Sequence, residues 1–289
     1  MSQTADLRAD AQGLGHALPA LLAQAQHLAG SLSFGAHGRR RAGAGDAFWQ
    51  YRPAMAGDVA QSIDWRRSAK TDAPYVRQRE WQALNTVALW ADGAQSMRFA
   101  SKGMVSKSER AQLLALALAV ALLRGGERVG WVHAGPAKTG RAQLGQMLAQ
   151  LADLPRTDDY GAAMTGANRA DHIVYLSDFL GPMAGLQSAM TAAADRGARG
   201  ILLQILDPAE ESFPYAGRTV FLSMGGSLRH ETQSAADLRA AYQARLAARK
   251  DELAALARRL GWGYFVHQTD RPPLDAYIWA HHAISGAMR

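Results

Sequence analysis

Three apolar runs of strand length in this chain end on an aspartate: "TVALWAD" at Asp92, "IVYLSD" at Asp178 and "LLQILD" at Asp207. Asp92 opens the stretch Asp92-Gly93-Ala94-Gln95-Ser96, so a carboxylate is followed four residues on by a hydroxyl. Carboxylates and hydroxyls on neighbouring loops are the oxygen donors that a hard cation such as Mg²⁺ takes. The same carboxylates would equally accept the ammonium or guanidinium of a partner's Lys or Arg. The chemistry on offer is therefore cation binding, by metal or by side chain.

The elements that would position these acids alternate. From residue 86 the pattern gives a strand in "TVALWA" and a helix over 108–126, with its leading Ser108 placed to cap it and paired glycines to stop it. A strand in "RVGWVH", a helix in "RAQLGQMLAQLAD" and a short helix opened by Thr157 or an adjacent aspartate follow. Then come strands in "HIVYLS", "GILLQIL", "RTVFLS" and "GYFVH", with helices in "MAGLQSAMTAAADRG", over 234–261 and over about 273–287. Alternation of this kind implies an α/β fold, a doubly wound and mostly parallel sheet of Rossmann-like type, with its strands buried on both faces. Ligands of such sheets bind outside the carboxyl ends of the strands, where all three aspartates fall. Residues 1–84 read as a separate extension: an N-terminal helical pattern, a Gly-rich break, then short Arg- and aromatic-rich strands packed on the main domain of 85–289.

Composition removes several classes. Across 289 residues there is no cysteine, which excludes disulfides, thiolate zinc sites and cysteine nucleophiles. The longest apolar run, "LLALALAVALL", has the length of a buried core helix and is too short for a bilayer span, and the N-terminus lacks the apolar stretch of a leader. A soluble, cytoplasmic protein with no membrane span is the expectation. The net charge of +7 invites nucleic acid, but 27 of the 32 basic residues are scattered arginines. The one dense cluster is Arg39, Arg40 and Arg41, read as a solvated loop, and nucleic acid is not the expected partner. No phosphate-cradling loop, G-x-S-x-G elbow or helical His ligand pair is present, and His172 is the one histidine near either acid.

Asp92 through Ser96 resembles the opening Asp-x-Ser-x-Ser of the metal-ion-dependent adhesion site of von Willebrand factor A domains, with Ala94 in place of the middle serine. The resemblance places the threonine loop at Thr157 and the later aspartate at Asp178. The stretches "GDVAQSIDWRRSAK" and "VRQRE", "LDPAEESFPYAGRTVF" and "ELAALARRLGWGYFVHQTDRPPLDAYI" resemble a bacterial family of unknown function (number fifty-eight), over roughly residues 34–289. Members of that family are commonly encoded beside MoxR-type AAA+ ATPases. The resemblance implies a von Willebrand factor A-like domain working with such an ATPase.

On these grounds the expected function is a non-enzymatic interaction module, an adaptor or co-chaperone for a MoxR-type AAA+ ATPase. Its partners would be bound through Asp92, Ser96 and Asp178. The resembling metal site would comprise Asp92, Ser96, Thr157 and Asp178. With Ala94 supplying no oxygen, Mg²⁺ is expected to bind weakly or not at all, and no cofactor is required. The alternatives are a metal-dependent hydrolase using Asp92 and Asp178, and a nucleic-acid binder using Arg39–Arg41. Asp58, Asp64, Trp65 and Arg66 are expected to hold a turn and pack an edge, and Asp207-Pro208 to end a strand. Glu210 and Glu211 are expected to pair with arginines at the surface.

Overall fold

The computed structural model describes residues 18–31, 41–55, 58–70, 74–81, 84–153, 160, 170–226 and 228–287. The chain divides into two compact units, one of Met1–Ser33 with Asn85–Ala287 and one of Phe34–Leu84 with the last two residues.

The first unit is built on five strands: β3 (Thr86–Ala91), β4 (Arg128–Trp131), β5 (His172–Ser177), β6 (Arg199–Leu206) and β9 (Gly263–Gln268). They lie in the order β4-β3-β5-β6-β9, and every pairing is parallel. This is the α/β Rossmann-like sheet expected from the sequence. Residues 87–91 and all of β5 are buried, as parallel strands covered on both faces must be. On one face Trp90 and Tyr175 meet edge to face at 5.7 Å between ring centroids, and Tyr175 stacks on Trp262 at 6.0 Å. The same core takes in Leu186 and Met190 of α5 (Met183–Asp195) and Leu253 and Leu256 of α7 (Arg239–Arg259). Helices α3 (Lys107–Arg124) and α8 (Pro273–Ala287) pack on each other and on the sheet, and α4 (Arg141–Ala149) packs on α3 and β4. Apart from these, a helix of residues 18–30, α1, buries Ala25, Leu28 and Ala29.

The run "LLALALAVALL" is the centre of α3, with residues 114–122 buried, as a core helix should be. No helix among the described residues is long and apolar enough to cross a membrane. Two elements were not anticipated. After β6 a short helix, α6 (Pro208–Ser212), interrupts what reads as a turn. The strand in "RTVFLS" is β7 (Thr219–Leu222), and it pairs antiparallel with β8 (Arg229–Thr232) as a separate hairpin outside the main sheet.

The second unit is an antiparallel pair, β1 (Arg41–Pro53) and β2 (Tyr75–Trp81), with the four-residue helix α2 (Trp65–Ser68) between them. Arg52 grips Asp58 with both terminal nitrogens, at 2.7 and 2.5 Å, and the Met55 N–H donates to the same carboxylate. Those bonds hold Asp58 down at about 2, the Arg52 hydrogen bond contributing most. Asp64 caps α2 by accepting from the Arg67 N–H at 3.0 Å and accepts from the Tyr51 hydroxyl. Both acids therefore hold turns. Trp65 and Arg66 are exposed.

Candidate functional site

Counting only the strands of the main sheet, the chain lays down β3, then β4 on one side, then β5 on the other. The direction of winding therefore reverses between β3 and β5, and the carboxyl ends of those two strands carry Asp92 and Asp178. Asp92 is 2% exposed and Asp178 1%. The Asp92 N–H donates to the Leu176 carbonyl, its Oδ1 accepts from the Ala94 N–H at 2.9 Å, and its Oδ2 accepts from the Ser177 hydroxyl at 2.7 Å. Burial pushes Asp92 up to about 6, and the neighbouring charge of Asp178 adds to that, while the Ser177 bond works in the other direction.

Asp178 Oδ1 accepts from the Leu180 N–H at 3.1 Å, closing a local turn. That turn carries Phe179 at φ 51°, and Phe213 just past α6 sits at φ 46°. They are the two non-glycine residues with positive φ among those described, and a bulky side chain adopts that region at a cost. Both flank the strand-end site.

The group that unites the site comes from a helix end. The N-cap of α3 is Ser106, and Ser106 and Glu109 form a reciprocal capping box. The cap places Lys107 in the first turn with its side chain 0% exposed. Its ammonium donates to Asp178 Oδ2 at 2.8 Å and to Glu210 Oε1 at 2.5 Å. Burial alone would lower the lysine's pKa, but the two carboxylates more than offset it and hold the group above the ordinary Lys value. Glu210 is pushed up by its own burial and by Asp178, with Lys107 acting against both.

Glu210 is held in turn by α6. Asp207 N-caps that helix through the Ala209 N–H at 2.8 Å, and Glu210 returns the bond by accepting from the Asp207 N–H at 2.9 Å. The second oxygen of Asp207 accepts from the N–H and hydroxyl of Ser101. Asp207 thus caps a helix rather than simply ending a strand. Glu210 pairs with a buried lysine, not with a surface arginine, and Glu211 pairs with Lys250 at 2.5 Å.

Of the residues in the resembling metal site, the structure brings Asp92, Ser96 and Asp178 to one sheet end, while Thr157 lies outside the described residues. Arg39 and Arg40 lie outside them too, and of Arg41 only the backbone in β1 is described. The donors do not fit Mg²⁺ as they stand. Both Asp92 oxygens are taken, Ala94 is buried and offers none, and an ammonium already sits between Asp178 and Glu210. No group of three or more His, Asp or Glu placed to hold a metal ion occurs among the described residues. The cation that this pocket of acids accepts within the chain is Lys107.

Ser96 is 8% exposed, and its hydroxyl has no hydrogen-bond partner among the described residues. It lines a cavity of about 180 Å³, together with Glu210 and the rings of Phe99, Phe213, Tyr215 and Tyr242. Leu222 and Met224, in and just after β7, also line it and are 65% and 46% exposed. Lys107 and this aromatic wall were not among the residues singled out from the sequence. The capping box Ser106-Lys107-Ser108-Glu109 was the available signal for the lysine. It sets the helix start at Lys107, where the expectation had placed a cap at Ser108.

Residues 50–252 match the family described as "Protein of unknown function DUF58". Among curated proteins the chain is 28% identical over 239 residues to uncharacterized proteins of Mycobacterium bovis and Mycobacterium tuberculosis, covering 76% of this chain and 73% of each relative. Among solved structures, the conserved hypothetical protein BatB from Bacteroides thetaiotaomicron aligns with a TM-score of 0.43 and 16% identity, over 70% of this chain and 98% of that one. An aerotolerance-related membrane protein from Bacteroides fragilis aligns with a TM-score of 0.40 and 17% identity, over 70% and 99%. An uncharacterized membrane spanning protein from Vibrio fischeri aligns at 0.20 and 17%, over 67% and 94%.

The last two descriptions speak of membranes, and they overturn the expectation of a cytoplasmic protein. That expectation was drawn from how the N-terminus and the longest apolar run read, and it is withdrawn.

Proposed function

We propose, on the premise that this chain belongs to the DUF58 family of proteins of unknown function, that it is a non-enzymatic protein-interaction module. Its contact face is the carboxyl end of the parallel sheet, and its partner is an AAA+ ATPase of MoxR type. The partner class comes from the family resemblance, and the von Willebrand factor A-like reading of the domain from the degenerate motif at Asp92–Ser96. The face itself rests on one observation: Lys107 is buried between Asp178 and Glu210 at the strand ends. An internal ammonium there holds the strand-end loops and α6 together without a metal, giving a preassembled surface rather than one completed by an ion. The exposed apolar side chains of Leu222 and Met224 lie beside it.

The hydrolase reading is weaker on this geometry. Asp92, at about 6, has the basicity of a general base, but both its oxygens are engaged and 2% of its surface reaches solvent. The test is affinity capture of the tagged protein from its native host, with and without nucleotide. An AAA+ ATPase should be recovered by the parent and lost with folded Leu222→Glu. Repeated capture that returns no ATPase, or a folded Leu222→Glu protein that captures it as well as the parent, would overturn the proposal.

A further inference from the structure

The cavity beside Glu210 has a chemistry that the adhesion-type reading does not use. Its walls are aromatic: Phe213 lies 4.8 Å from Tyr242 and 5.2 Å from Tyr215, centroid to centroid, and Phe99 lies on the lining as well. Its polar lining includes a carboxylate, Glu210, and a hydroxyl, Ser96, that is nine-tenths buried and has no hydrogen-bond partner among the described residues. Four carboxyl groups (Asp92, Asp178, Asp207 and Glu210) stand at this sheet end, and the ammonium of Lys107 is shared by two of them, Asp178 and Glu210. Arg239 and Arg249 belong to the same neighbourhood. They are bound to the carbonyls of Phe213 and Tyr215 and of Phe179 and Gly181, and neither lines the cavity. The tyrosines register the field: after burial, the charges of Asp207 and Glu210 push the Tyr215 hydroxyl up.

Aromatic faces, a buried acid and an unsatisfied hydroxyl together recognise an organic cation with an apolar stem. We infer that this cavity receives the side chain of a lysine or arginine from the partner protein, its stem against the rings and its head group toward Ser96 and toward the lone pairs that Glu210 keeps once Oε1 accepts from Lys107 and Oε2 from the Asp207 N–H. The occupant is taken to be a protein side chain rather than a free amine because Leu222 and Met224, lining the same cavity, stay exposed. A small cation would leave them uncovered, and a flanking peptide would bury them. The sign matters, since a strand-end site holding a metal would select an acidic ligand and this one selects a basic one. The inference rests on the interaction face proposed above and gives it a ligand chemistry.

The test uses the whole protein and calorimetric titration with three probes: a blocked five-residue peptide with a central lysine flanked by leucines, the same peptide with glutamate in place of lysine, and butylammonium chloride. The lysine peptide should bind and the glutamate peptide should not. Ser96→Ala, which breaks no hydrogen bond of the parent, and Tyr242→Leu should each weaken the lysine peptide by roughly 3- to 30-fold, the range of one charged hydrogen bond or cation–π contact. Equal binding of the glutamate peptide, or no binding of either, would overturn the inference. So would lysine-peptide affinity unchanged in both variants. Butylammonium binding as tightly as the lysine peptide would overturn the assignment to a protein side chain. Capture of the ATPase that depends on Leu222 without any lysine preference would refute this inference alone and leave the interaction face standing.

Discussion

Replacing Lys107 by methionine keeps a linear side chain of similar volume and removes the charge, so its cost reads the ion cluster rather than a cavity. In the parent the ammonium is 0% exposed and meets Asp178 at 2.8 Å and Glu210 at 2.5 Å. At an effective dielectric of about 20, one contact near ~2.8 Å carries roughly 6 kcal/mol of attraction, against a desolvation cost of several kcal/mol per ion. The pair contributes little net, but its disruption leaves two carboxylates buried without a counter-charge, which costs about 3–5 kcal/mol. For a unit of this size that lowers Tm by roughly 6–20 °C. The pH dependence separates this cause from simple misfolding. In the parent, the raised pKa of Lys107 means that its contribution is present below the ordinary value of 10.5 and is lost only as pH rises through the folded value. In the variant, Glu210 has lost the charge that drew its pKa down and keeps only the Asp207 N–H to do so, so it takes up a proton more readily. The penalty is then largest near pH ~8 and shrinks toward pH ~4 as Glu210 protonates. Urea unfolding followed by tryptophan fluorescence at both pH values measures it. A loss below ~1 kcal/mol at the higher pH, or a loss of equal size at both, would refute the reasoning.

Three further expectations follow from the same geometry. Lys107→Ala should acquire a thermal upshift with Mg²⁺ or Mn²⁺ that the parent lacks, because Asp178 and Glu210 are then free to bind a cation; an equal upshift in the parent would contradict this. Asp92→Asn should be more stable than the parent near pH ~8 by roughly 1–3 kcal/mol, with the difference closing below pH ~4. The sign follows from a folded pKa of about 6 against an unfolded 3.8: the carboxyl is favourable while protonated and becomes a burden as pH rises through 6, which asparagine escapes. Denaturant titrations at the two pH values check it. Gly200→Ala should cost more than ~3 kcal/mol by overpacking, since an added Cβ would strike the Ile173 carbonyl oxygen and come within 2.7 Å of the Trp262 ring; a variant with parental Tm would disprove that close approach.

The parallel sheet was legible because its strands are buried on both faces and read as unbroken apolar runs, and the aspartates stand out where those runs stop. What completes the site was not legible, for reasons of distance and of local reading. Lys107 lies 71 and 103 residues from Asp178 and Glu210, so no spacing links them. The capping box that fixes its place competes in the sequence with Ser108, which offers the same cap chemistry two residues on. Asp207-Pro208 reads as a turn, yet an aspartate cap, a proline in the first turn and a glutamate at the third position are together a helix start, and α6 uses all three. β8, "RHET", is polar and mostly exposed, so it carries none of the alternation by which a half-buried strand is recognised. The aromatic wall draws on residues from Phe99 to Tyr242 and exists only once α6 and the β7–β8 hairpin are placed.

The central claim is that the carboxyl end of the sheet, assembled on Lys107, is the surface a protein partner covers. Amide hydrogen exchange of the protein, alone and in complex with the captured ATPase, tests it most directly. Added protection should concentrate in residues 93–105, 178–182 and 207–224, and Leu222→Glu should abolish it. Protection confined to the opposite end of the sheet, at the starts of β3, β5 and β6, would contradict the account.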